Sequence, residues 1–83
     1  MSKNKIELTP TVDVDKLLLK IEEKYSSEEV TTIDGVKIDF ADSWVHLRKS
    51  NTEPIIRIYS EAKSERKAQE LSENMISAIR GLI

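Results

Sequence analysis

The hydrophobic period changes twice along this chain, and that change is the strongest constraint on what it can fold into. Near the start, Val14, Leu17, Leu18, Ile21 and Tyr25 recur at spacings of three and four, with Asp15, Lys16, Lys20, Glu22, Glu23 and Lys24 largely outside the stripe. Near the end, Ala68, Leu71, Met75, Ala78, Ile79 and Leu82 repeat the pattern. Each stripe predicts an amphipathic helix. Thr11 or Asp13, after Pro10, can cap the first, and Ser26 and Ser27 end it. Ser64 caps the second and puts Glu65 in its first turn, where the helix dipole favours an acid.

Between the stripes the period shortens to two. Asp34-Gly35 separates Val30–Ile33 from Val36–Phe40, a hairpin signal because glycine accepts positive φ at no steric cost. From Trp44 to Arg48, Val45 and Leu47 share one face while Trp44, His46 and Arg48 take the other. Its expected partner is Ile55 to Glu61, with Ile56 and Ile58 towards the core and Arg57 and Tyr59 away from it. Lys5 to Leu8 can add a short edge strand. A helix, several antiparallel strands and a helix predict an α+β two-layer sandwich, with both helices on one face of a small, mostly antiparallel sheet.

With 83 residues, the chain is expected to form one domain over 1–83, without repeat, low-complexity tract or linker. A fold of this size buries only about 60% of the surface its unfolded chain exposes, which places any ligand on the surface or in a loop. There is no Cys and a single His, which excludes disulfides, thiolate metal sites, a cysteine nucleophile and a histidine-rich metal centre. No apolar run approaches the roughly 20 residues of a membrane span, and MSKNKIELTP lacks the apolar stretch of a signal peptide. The expectation is a cytoplasmic domain with no membrane partner.

Thirteen basic and fifteen acidic side chains give a net charge of -2, which argues against a nucleic-acid partner. The distribution is uneven. From His46 to Arg57, Arg48, Lys49 and Arg57 face only Glu53, so this stretch carries +2 and the remainder -4. The connecting segment Lys49-Ser50-Asn51-Thr52-Glu53-Pro54 has the parts of a phosphate cradle. Arginine supplies a planar fork for two oxygens, and Ser50 and Thr52 supply hydroxyl donors. Asn51 tolerates the left-handed backbone that turns successive amides inward, and Pro54 fixes the exit. The same residue types also make an ordinary polar hairpin loop. Glu53 suits the orienting of Arg48, Arg57 or a backbone donor rather than proton transfer, which would need a perturbed carboxyl beside a substrate.

The string Arg48-Lys49-Ser50-Asn51-Thr52-Glu53-Pro54 followed by Arg57 resembles the R-x-S-[GN]-T-E-P-x-x-R signature of the α-D-phosphohexomutases, which include phosphomannomutase, phosphoglucomutase and phosphoglucosamine mutase. Asp34-Gly35-Val36 before it, and Tyr59-Ser60-Glu61-Ala62 leading to a terminal helix, extend the resemblance over about Lys5 to the end, to the TATA-box-binding-protein-like C-terminal domain of those enzymes. Asn51, where glycine is the frequent alternative, points towards the phosphomannomutase/phosphoglucomutase branch.

The resemblance implies an enzyme that moves a phosphoryl group between the 1- and 6-positions of a hexose through a bisphosphorylated intermediate. A phosphoserine and Mg²⁺ in other domains of the parent do the chemistry, and the C-terminal domain grips the phosphate not being transferred. Carried onto this chain, that role falls to Arg48, Ser50, Asn51 and Thr52 with Arg57 close by, and Glu53 in support. The chain contains neither a T-x-S-H-N-P loop nor a D-G-D-x-D-R loop. The implied reading is one domain of a larger mutase, with no catalytic residue or metal ligand of its own and no activity alone. Its partners would be a phosphosugar and the other domains of the parent. The competing readings are a stand-alone anion- or nucleic-acid-binding module and a structural domain without a ligand. Trp44 and Tyr59 could stack on a sugar, cover the sheet or meet a neighbouring domain.

Overall fold

The computed structural model describes residues 1–33, 35–50 and 53–83. Its elements follow the order β1 (Ser2–Glu7), α1 (Val14–Lys24), β2 (Glu29–Thr31), β3 (Val36–Asp39), β4 (Trp44–Lys49), β5 (Ile55–Glu61) and α2 (Glu65–Leu82). The strands form one antiparallel sheet in the order β1-β5-β4-β3-β2. The α+β two-layer expectation holds.

Helix α1 starts where the sequence allows two caps. Asp13 takes the position, its carboxylate accepting from the Lys16 amide at 3.2 Å, while Thr11 meets the Thr9 hydroxyl instead. Leu17, Leu18 and Ile21 are the buried face of α1, and Ser64 caps α2 by accepting from the Lys67 amide. On α2 the buried residues are Ala68, Ser72, Met75 and Ile79, with Leu71, Ala78 and Leu82 half-buried beside them. Ser72 is a polar residue that the apolar stripe does not predict inside.

The register explains how the sheet divides its faces. Val36 lies opposite Leu47, Leu47 opposite Ile58, and Ile56 opposite Ile6, so these apolar side chains share one face. They cluster with Leu17, Leu18, Ile21, Met75 and Ile79, so both helices cover that face. Burying such side chains is the main source of stability, at roughly 25 cal/mol for each Å² of apolar surface removed from water. The core also holds a small polar pair. Ser60 Oγ donates to the Ala68 carbonyl at 2.7 Å, so the Ser72 hydroxyl, 2.5 Å from Ser60 Oγ, is left to donate to it. This joins β5 to α2.

Several boundaries differ from expectation. The edge strand runs over Ser2–Glu7, not Lys5 to Leu8; Leu8 is buried just beyond it, its amide held by the Pro54 carbonyl. Strand β2 ends at Thr31, and Ile33, expected in the strand, is 94% exposed. Phe40 likewise lies beyond β3 and packs edge-on against Tyr25 with ring centroids 6.3 Å apart. The pairing of Thr31 with Lys37 leaves residues 32–36 between paired positions, a longer connection than a two-residue turn. Asp34, half of the expected turn signal, lies outside the described residues.

Gly35 has φ of +76°, and its role reaches beyond the turn. A Cβ built on it would lie 2.2 Å from the Leu47 carbonyl oxygen and 3.3 Å from the Arg48 Cα. Only a residue without a side chain lets the β2–β3 connection approach the end of β4 so closely.

Candidate functional site

Strands β4 and β5 hold the candidate loop between them. The Ser50 amide donates to the Ile55 carbonyl at 3.1 Å, so the pairing continues one step past β4. The expected six-residue loop from Lys49 is therefore shorter, because Lys49 still pairs with Ile56. Its exit is fastened on both sides. The Ile55 amide donates to the Glu53 carbonyl at 2.8 Å, and the Leu8 amide donates to the Pro54 carbonyl at 2.7 Å. Proline fixes φ and lacks a donor, so these bonds set a stiff exit.

Of the residues singled out in the sequence, Arg48 stands at the end of β4 and Arg57 directly opposite it on β5, both exposed and on the face away from the helices. Side chains so opposed have Cβ atoms about 4.5–5.5 Å apart, and like charges there repel. Ser50 is half-buried at the base of the turn and Glu53 is exposed. Asn51 and Thr52, with the left-handed conformation and hydroxyl expected of them, lie outside the described residues. The geometry thus brings Arg48, Arg57 and Ser50 to one end of the hairpin.

Further residues join this region. Lys49 Nζ lies 2.7 Å from the Asp15 carboxylate, tying the loop entrance to the first turn of α1. Gly35 lies against the Arg48 backbone on the other side. Asp15, Lys49 and Gly35 line, with Leu18, Leu19 and Arg48, a cavity of about 480 Å³ between α1 and the sheet. In the sequence Gly35 reads only as a turn residue; its close approach depends on the β3–β4 register, which local pattern does not encode.

The open face carries Trp44, His46 and Tyr59, as the alternation predicts, and all are half-buried. Lys37 Nζ lies 5.2 Å from the Trp44 ring centroid and 3.6 Å from the Asp39 carboxylate, so Trp44 already has a cation on its face. Among the described residues, no group of three or more His, Asp or Glu side chains is arranged to hold a metal ion, and no helix is long and apolar enough to cross a membrane.

Comparison with known proteins gives this arrangement a context. A family described as phosphoglucomutase/phosphomannomutase, C-terminal domain, matches residues 8–78, which include β4, the candidate loop and β5. The chain belongs to that family. A phosphoglucosamine/phosphogalactosamine mutase of Sulfurisphaera tokodaii is 46% identical over 81 residues, covering 95% of this chain and 18% of that protein. A phosphoglucomutase/phosphomannomutase of Thermococcus kodakarensis is 62% identical over 45 residues, 54% of this chain and 10% of the relative. A phosphopentomutase of the same organism is 42% identical over 67 residues, 77% and 15% respectively. The chain spans less than a fifth of the length of these relatives.

Proposed function

We propose that this chain is the substrate-phosphate-binding C-terminal domain of a phosphohexomutase of the phosphomannomutase/phosphoglucomutase kind, a cytoplasmic enzyme interconverting hexose 1-phosphate and hexose 6-phosphate. The observation that carries the reading is the pair of arginines, Arg48 and Arg57, abreast at the end of a hairpin whose turn begins at Ser50 and whose exit is fastened by Leu8. Cations at facing strand positions repel each other, and an anion that accepts from both relieves that repulsion. A phosphate dianion does so, with oxygens enough for both guanidinium forks, the Ser50 hydroxyl and the donors of Asn51 and Thr52. Glu53 would orient an arginine or a backbone donor.

The domain's part in the reaction is positional. Holding the non-reacting phosphate contributes binding energy that orients the distant end of the sugar without entering the bond-making step. The hold must also release, because the bisphosphorylated intermediate has to turn around. Mg²⁺, bound elsewhere in the parent enzyme, would neutralise charge at the reacting phosphoryl group. The chain alone should therefore turn over no hexose 1-phosphate, even with Mg²⁺ and a bisphosphate activator, and turnover would overthrow that part of the reading.

Binding is tested by adding glucose 6-phosphate to the labelled chain and following its backbone amides. Shifts at Ser50 and around Arg48 and Arg57 are expected, with a dissociation constant on the order of millimolar because one domain supplies only part of the ligand's contacts. Arg48→Gln should weaken the response about tenfold or more. A flat response at tens of millimolar ligand removes the proposal, and a broad response to an oligonucleotide instead would favour a nucleic-acid module.

A further inference from the structure

The cations of the open face do not end with the arginine pair. Lys5 of β1 lies directly opposite Arg57, which lies opposite Arg48, so three cations stand abreast on three adjacent strands. One step along, Lys3 is opposite Tyr59. Lys3, Lys5, Arg57 and Tyr59, with Asn4, line a depression of about 480 Å³ between β1 and β5. We infer that this depression is a second anion subsite, beside the loop, that takes a phosphomonoester dianion.

The chemistry favours that ligand over the alternatives. Two ammonium groups and a guanidinium supply three positive charges, and the Tyr59 phenol is a neutral donor among them. The compensating acid is weakly placed: Glu7 approaches Lys5 Nζ only to 4.0 Å, with both side chains more than half exposed. Arg57 forms no ion pair among the described residues. A chloride ion would satisfy one of these cations; a dianion with several acceptor oxygens reaches all three. The space is wide enough for a phosphate and the group it esterifies, with the half-buried Tyr59 ring as a wall. A polyanion fits less well. Glu7 of β1 and Glu61 of β5 share this face on either side of the two rows, and Asp39 and Glu29 occupy the far strands, so the positive field is a patch and not a stripe.

The subsite touches the proposed loop through Arg57 yet stands on different residues, which lets the two be tested apart. The labelled 83-residue chain is titrated with inorganic phosphate and with glucose 6-phosphate at pH 7.5, where the phosphomonoester is dianionic, against sodium chloride at matched ionic strength. Amides of Lys3 to Lys5, which the loop does not share, should shift with phosphate and not with chloride. The Lys3→Gln/Lys5→Gln variant, altered only at exposed positions, should weaken that response about fivefold, the scale two exposed charge contacts supply together, and leave the Ser50 response within about twofold. Ser50→Ala should do the reverse. Silence at Lys3 to Lys5 while Ser50 responds overturns the subsite and spares the loop. A response there with Ser50 silent supports the subsite and sinks the loop. Equal shifts with chloride would reduce the patch to a screened surface charge and overturn the inference.

Discussion

Replacing Gly35 by alanine should test how the end of β4 is held in place. Two costs combine at this position. At φ of +76°, any residue with a Cβ is less stable than glycine by about 1–2 kcal/mol. The added Cβ would also sit 2.2 Å from the Leu47 carbonyl oxygen, a backbone atom that cannot swing aside, so the β2–β3 connection and β4 must separate. Overpacking of that kind costs about 1–3 kcal/mol, giving a combined loss of about 3 kcal/mol. Against a total of roughly 4–12 kcal/mol for a chain of this length, the loss is large, and for a small domain it lowers Tm by roughly 12–24 °C. Urea unfolding followed by the fluorescence of Trp44 and by circular dichroism measures it. Gly81 is the internal control: a methyl group placed there would meet nothing within 4 Å, and the residue sits in the last turn of α2, so Gly81→Ala should be neutral or stabilise by up to about 0.5–1 kcal/mol. A Gly35→Ala variant that loses less than about 1 kcal/mol would refute the close-approach argument. The phosphate response at Ser50 should weaken in the same variant, because the displaced backbone belongs to Leu47 and Arg48.

Two further outcomes follow from the polar contacts. Ser60→Ala strands the Ser72 hydroxyl in the core and should cost about 1–2 kcal/mol in urea unfolding, whereas Ser60→Ala/Ser72→Ala removes both partners and should cost clearly less than the two single losses added together. Strict additivity would mean that the two hydroxyls are not coupled. Asp15→Asn removes the ion pair with Lys49, but both side chains are substantially exposed, so stability should fall by less than about 1 kcal/mol and the fall should shrink in high salt. A larger, salt-independent loss would show that the pair is structural.

The parts of the fold that local pattern encodes are legible in the sequence. The stripe through Leu17, Leu18 and Ile21 needs only the helical period, and the alternation of Val45 with His46 or Ile58 with Tyr59 needs only the strand period. Ser72 is not legible, because a serine on an apolar helix stripe is satisfied only by a partner from elsewhere in the chain, here Ser60. Ile33 misleads for the complementary reason: an apolar residue before Asp34-Gly35 reads as strand, yet the register ends pairing at Thr31. At the site, the arginines and serine stand out in sequence as a motif. Lys3 and Lys5 do not, since they come about fifty residues earlier and reach Arg57 and Tyr59 only through the β1–β5 pairing.

That pairing also bears on the proposed hold on a phosphate. Both helices lie on one face, so the packing that makes the domain stable is separate from the face where the cations stand. The loop and the core are nevertheless joined at specific backbone points: Leu8 to Pro54, Ser50 to Ile55, and Gly35 against Arg48. Such a frame limits how far the backbones of Arg48 and Arg57 can move apart, so the two positions would stay abreast whether or not an anion is held. A returning phosphate would then meet strand positions already set and have only side chains to orient. Affinity gained in this way would cost little backbone ordering entropy, as the proposed contact, formed and released in each turnover of a parent mutase, requires.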